Sequence, residues 1–136
     1  MNLSPLYTWV DTHRDECVEE LRRLIRQPSI AAQDQGVKEC ADLLVSMNRS
    51  LGIEARTIRT GGQPFVYGCL QSPSGASSGG TCGAAAGAVV QPPEPLEEWE
   101  HEPFAATIVA DRIVARGATD SKGNLMSHLM AVRAFR

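Results

Sequence analysis

The amino-acid sequence predicts an α/β chain, on three observations. Apolar residues recur at helical spacing in two stretches, over 4–27 and 35–51. Two strand-like runs follow, IEARTIRT and PFVYGCL, separated by the hairpin signal Gly61-Gly62. A short hairpin and one more helical stretch complete the 136 residues.

In the first stretch the stripe is Leu6, Val10, Cys17, Leu21, Leu24 and Ile25. Ser4 and Pro5 form an N-cap and first-turn pair, and Pro28 stops the helix. PSIAAQD is then a loop. The second helix is expected from about Gln35 to Leu51, with Val37, Ala41, Leu44 and Met47 inward and Gly52 as its stop. The segment QSPSGASSGGTCGAAAGA contains almost only small residues. It has no large side chain to bury and little strand propensity, so it reads as a flexible linker. VVQPPEPLEEWEHEPF is a turn-rich loop, and ATIVADRIVAR a hairpin turning near Ala110-Asp111. A last helix begins near Ser121, with Leu125, Leu129, Ala131 and Val132 for its buried face. It reaches Arg136 with no cap or stop signal, which points to a fragment.

The formal charge of −3 leaves no basic footprint for nucleic acid. No apolar run is long enough to span a bilayer, and the N-terminus turns polar too early for a signal peptide; the expected location is the cytoplasm. Cys17, Cys40, Cys69 and Cys82 form no close pair, so a structural zinc knuckle is not expected. Cys17 and Cys40 lie on helical apolar stripes and read as small buried hydrophobes. His13, His101 and His128 are scattered. Glu94, Glu97, Glu98, Glu100 and Glu102 read as a solvated loop face shaped by prolines.

QPPEPLEEWEHEPF together with ARGATDSKG resembles the dinuclear zinc exopeptidase family. That family includes cytosolic dipeptidases, carnosinase-like enzymes, glutamate carboxypeptidases, acetylornithine deacetylases and succinyl-diaminopimelate desuccinylases. LRRLIRQPSI and GVKECADLLVSMNRSLGIEARTIRT resemble its first helices and strand, so the likeness runs over nearly the whole chain. The long QPPEPLEEW form is nearer the dipeptidase-like branch. The resemblance implies that residues 1–136 are the N-terminal, incomplete part of a three-layer catalytic domain. It implies hydrolysis of dipeptide, C-terminal peptide or N-acyl amino acid amide bonds with two zinc ions, which activate a water and polarise the scissile carbonyl. Dimerisation is implied only for the full-length protein.

In the family a strand ends in His-x-Asp before Val-Gln-Pro-Pro. Counting back from Val90-Gln91-Pro92-Pro93 puts the His at Gly87 and the Asp at Val89, neither of which can serve. In the second motif Arg116, Gly117, Asp120, Lys122 and Gly123 match. The resemblance makes Asp120 the carboxylate that bridges both metals and implies a cis peptide after it. The reading from spacing alone is an N-cap for the last helix. No catalytic residue is assigned, because the general base and the other ligands are not among the matched positions. Residues 71–89 are an aberrant segment, and between Ser77 and Val89 the expected strand is missing, as a local frame shift or altered exon would produce. The chain is expected to be weakly stable and inactive. The competing reading is a catalytically dead remnant that binds a partner.

Overall fold

A computed structural model describes residues 2–70, 81–84 and 88–136. They divide into two compact units, Met1–Arg26 with Pro93–Arg136, and Gln27–Pro92. The mixture of helices and strands is the one expected.

The first unit contains α1 (Ser4–Thr12), α2 (Arg14–Arg26), a two-stranded hairpin and α4 (Lys122–Ala134). The single helix expected over 4–27 is broken at His13. The reason is local competition for carbonyls: the Thr8 hydroxyl donates to the Ser4 carbonyl, and the Thr12 hydroxyl to those of Thr8 and Trp9. The His13 ring also bonds the Trp9 carbonyl through Nδ1 at 2.8 Å and stacks on the Trp9 indole. Such back-bonding takes acceptors from the helical ladder and bends it. Ser4 is not the cap. Leu3 holds that position without a side-chain bond, and Asn2 Oδ1 accepts from the Ser4 amide instead. Leu24 and Ile25 are fully buried, whereas Val10 is exposed.

β4 (Thr107–Val109) and β5 (Arg112–Val114) pair antiparallel across the expected turn, with Ala110 at φ 54°. The Arg22 guanidinium donates to the Ala106 carbonyl, tying α2 to the approach of this hairpin. On α4 the buried residues are Lys122, Met126 and Leu129. Leu125 and Val132 are only half-buried, and Ala131 faces solvent, against expectation. Met126 and Leu129 at i, i+3 carry the contact row instead.

The second unit packs α3 (Val37–Ser50) on a three-stranded antiparallel sheet in the order β1 (Glu54–Ile58), β2 (Phe65–Leu70), β3 (Thr81–Ala84). Val37, Cys40, Ala41, Leu44 and Met47 are buried, as the helical stripe requires. The helix stops where expected: Gly52 has φ 69° and its amide donates to the Arg49 carbonyl. The Arg49 guanidinium crosses to the Ala55 carbonyl and fixes the helix against the first strand. β1 (Glu54–Ile58) and β2 (Phe65–Leu70) pair with Ala55 opposite Gly68 and Thr57 opposite Val66. The loop expected after Pro28 contains a single 3-10 turn at Ala31–Gln33.

One expectation is overturned here. The small-residue segment is not strandless: β3 (Thr81–Ala84) pairs antiparallel with β2, Gly68 opposite Gly83 and Cys69 opposite Cys82. A strand on the outer side of β2 is held by main-chain hydrogen bonds, which need no large side chain. Composition argues against such a strand only through propensity, and that yields to an open partner edge. Residues 71–80 and 85–87, Gly87 among them, lie outside the described residues.

Candidate metal-side turn

The residues of the second motif form one turn between β5 and α4. The Arg116 amide donates to the Pro103 carbonyl at 2.7 Å, and the Ala118 amide to the Ala115 carbonyl at 3.3 Å. Gly117 is buried with φ 84°, a conformation that disfavours any side chain. The turn closes through the Lys122 amide on the Gly117 carbonyl at 3.1 Å. Gly123 is required by contact, since a Cβ there would sit on the Ala118 carbonyl oxygen.

Asp120 is at the exposed crest of this turn, and the Asp120–Ser121 peptide is cis, as the resemblance implies. The N-cap of α4 is Ser121, with no side-chain capping bond, so the simpler role for Asp120 is not used. The two motifs also touch through side chains: the Arg116 guanidinium lies over the Trp99 ring, 5.3 Å from its centroid. Arg116 Nε is buried and makes no hydrogen bond.

At the first motif, Val89 is half-buried and Val90 buried. The backbone here is held firmly. The Val90 amide donates to the Ser29 carbonyl at 2.9 Å, and the Ser29 hydroxyl donates to the Ala88 carbonyl. Val90 also bridges to Ile30 in parallel sense. The position that the resemblance gives to the family's Asp is thus held by an aliphatic residue, Val89.

The remaining candidates are not assembled. His13 stacks on Trp9, His128 is exposed on α4 and His101 is half-buried in the acidic loop. Glu94, Glu97, Glu98, Glu100 and Glu102 are all exposed, the solvated face expected. Among the described residues no three His, Cys, Asp or Glu side chains come together to hold a metal ion. A dinuclear centre needs several such donors around each ion. The described residues by themselves do not fit that need.

Two buried polar residues, one in each unit, carry roles that the sequence pattern did not assign. Ser29 and Lys122 are both polar and both fully buried. For Lys122 a signal was present, a lysine in the first turn of a helix with no acidic residue in that turn. For Ser29, between Pro28 and Ile30, there was none.

Comparison with known proteins supports the motifs. Residues 89–136 match peptidase family M20/M25/M40. The succinyl-diaminopimelate desuccinylase of Bordetella avium (strain 197N) is 31% identical over 117 residues, covering 85% of this chain and 28% of that protein. The desuccinylase of Acidovorax ebreus (strain TPSY) is 32% identical over 120 residues, 83% of this chain and 30% of its own length. The chain therefore spans less than a third of the length of these curated relatives. The M20 family metallo-carboxypeptidase Sso-CP2 from Sulfolobus solfataricus superposes with a TM-score of 0.69 at 33% identity, over 98% of this chain and 27% of that one. Human carnosine dipeptidase 1 superposes with a TM-score of 0.79 at 22% identity, over 98% and 31%. At that identity the likeness is one of fold alone. With the two motifs in order, the geometry of the Asp120 turn and these matches, the chain belongs to the M20 family of metallopeptidases.

Proposed function

We propose that the chain represents catalytic-domain sequence of a metal-dependent hydrolase that cleaves dipeptide, C-terminal peptide or N-acyl amino acid amide bonds. Asp120 is its metal-side carboxylate, and zinc, two ions in the intact enzyme, is its metal. The 136 residues alone do not hydrolyse these substrates. The observation that carries the first part is the Arg116–Gly123 turn, which closes through Lys122 and leaves Asp120 exposed and free of a capping duty. The second part is carried by Val89, an ordered aliphatic residue where the family's motif has an acid. Residues 71–89 are where the first metal motif has been lost. The site is cytoplasmic in this reading, and dimerisation belongs to the full-length enzyme.

Two assays test this. The purified chain, given zinc, dipeptides and N-succinyl amino acids, shows no chelator-sensitive hydrolysis; measurable turnover would refute its inactivity. A chimera carrying residues 93–136 in place of the matching segment of the Bordetella avium desuccinylase hydrolyses substrate, and Asp120→Asn abolishes that activity. An Asp120→Asn chimera as active as its parent removes Asp120 from the site. A folded chain that is inactive and captures a full-length relative would instead favour the partner-binding reading.

A further inference from the structure

We propose that Lys122 is the positioning residue of the Asp120 turn, acting by replacing a hydrogen-bond donor that Pro28 removes from the end of α2; this rests on the reading of Asp120 given above. In an α-helix the carbonyl of residue i accepts from the amide of residue i+4. For Leu24 that residue is Pro28, which has no N–H, and a proline ring crowds the carbonyl four residues before it. Leu24 is fully buried, so water does not readily supply the missing donor.

Lys122 supplies it. Its side chain is fully buried, and its Nζ donates to the Leu24 carbonyl at 3.1 Å across 98 residues of sequence. The ammonium also lies 6.0 Å from the centroid of the Phe104 ring. A hydrogen-bond donor aimed at the last carbonyls of α2 is favoured by the helix dipole as well. The same residue closes the turn from its other side, through its amide on the Gly117 carbonyl. Lys122 thus joins the turn to itself by its backbone and to α2 by its side chain. Neither Ser121 nor Asp120 caps α4, so no side-chain cap shares this task.

The proposal separates two effects that a purely structural lysine would combine. Lys122→Met keeps the length of the side chain and removes the donor. Pro28→Ala returns an amide to the Leu24 carbonyl without restoring any tie to the turn. Hydrogen exchange at the residue 122 amide, referenced to Leu129 on the same helix, reads the turn; thermal melting reads global stability. Lys122→Met is expected to lower the melting temperature and to speed exchange at residue 122 about tenfold. Adding Pro28→Ala is expected to recover the melting temperature and leave exchange fast. If Lys122→Met alone does not fold, the double variant is compared with Pro28→Ala, and the same fast exchange is expected. The proposal is overturned if exchange stays within about twofold of the parent. It is also overturned if Pro28→Ala restores exchange and stability together, or if the double variant stays unfolded. These readouts use neither metal nor substrate. A failure here leaves the chimera result standing, and an Asp120→Asn chimera that keeps activity leaves the Lys122 tie standing.

Discussion

The Ser29 hydroxyl donates to the Ala88 carbonyl from a position with no solvent exposure, and the Cys40 thiol approaches the same oxygen at 3.9 Å. This pair holds the chain just before Val90 to the loop that follows α2. Removing one partner of a buried hydrogen bond costs more than the bond's net value, because the other is left unsatisfied. Ser29→Ala is therefore expected to destabilise the protein by about 1–3 kcal/mol. Cys40 is too weak a donor to compensate. Urea unfolding measures the change, and a loss below ~0.5 kcal/mol would show that this carbonyl finds another donor.

Leu44 is fully buried on α3, the helix that packs on β1 and β2. Leu44→Ala is expected to cost about 2–5 kcal/mol, a loss of transfer energy plus a cavity that the neighbours close only partly. For a natural domain with a stability of roughly 5–15 kcal/mol, that is a large share. The parent is expected to lie at the lower end, because the small residues of the 71–89 segment bring little apolar area to the fold. The variant should then show no cooperative transition at 25 °C. A sharp transition in Leu44→Ala would mean that the parent is much more stable than its composition suggests.

Cys17, half-buried on α2, has its thiol pushed above the ordinary value of 9.0, chiefly by burial, with the Arg133 guanidinium pulling the other way. A raised folded value means that the native state disfavours the thiolate. Stability linked to this group is complete below the unfolded thiol range and declines as pH rises through and above it. At pH 8 Cys17 should react more slowly with a thiol reagent in the folded chain than in denatured protein, and Arg133→Ala should slow it further. Mass spectrometry of timed alkylation reads both; equal rates before and after denaturation would contradict the burial effect.

On the exposed face of α2, Glu19 accepts from Arg26 at 2.6 Å and from Arg22 at 2.7 Å. The bond from Arg26, against an opposing effect of desolvation and with help from Arg22, holds its carboxyl below the ordinary 4.5. A depressed folded value contributes stability above the unfolded value and loses it as pH falls through the folded one. Glu19→Gln should lower the melting temperature at pH 7 and low salt. The difference should shrink in high salt, and vanish well below pH 4.5. A difference that survives acid would be a packing effect.

Most of the elements were legible in the sequence, and the reasons lie in particular residues. The stripe Val37, Ala41, Leu44, Met47 has one reading as a helix face, and all four are buried. Gly61-Gly62 marks the β1–β2 turn, and Gly117 and Gly123 mark the turn before α4. Three things were not legible. The break at His13 depends on hydroxyls choosing carbonyls one turn back, a choice that the periodicity does not record. β3 depends on a partner edge rather than on its own residues. The roles of Ser29 and Lys122 depend on acceptors 59 and 98 residues away.

The sharpest test of the metal reading is zinc addition without any substrate. A ligand that binds the folded state at a thousand times its Kd adds about 4 kcal/mol to stability. For a chain of this size that is a rise of roughly 10 °C or more in melting temperature. The candidate turn offers the exposed carboxylate of Asp120, and among the described residues no three donors come together. Zinc at ~1 mM is therefore expected to move the melting temperature of the parent by less than ~1 °C, since stabilisation scales with RT ln(1 + [L]/Kd) and a lone carboxylate binds weakly. Asp120→Asn should behave identically. A large zinc-dependent rise that Asp120→Asn abolishes would mean that donors outside the described residues complete a site around this turn. The inactive reading of the chain would then fall, while the assignment of Asp120 would stand.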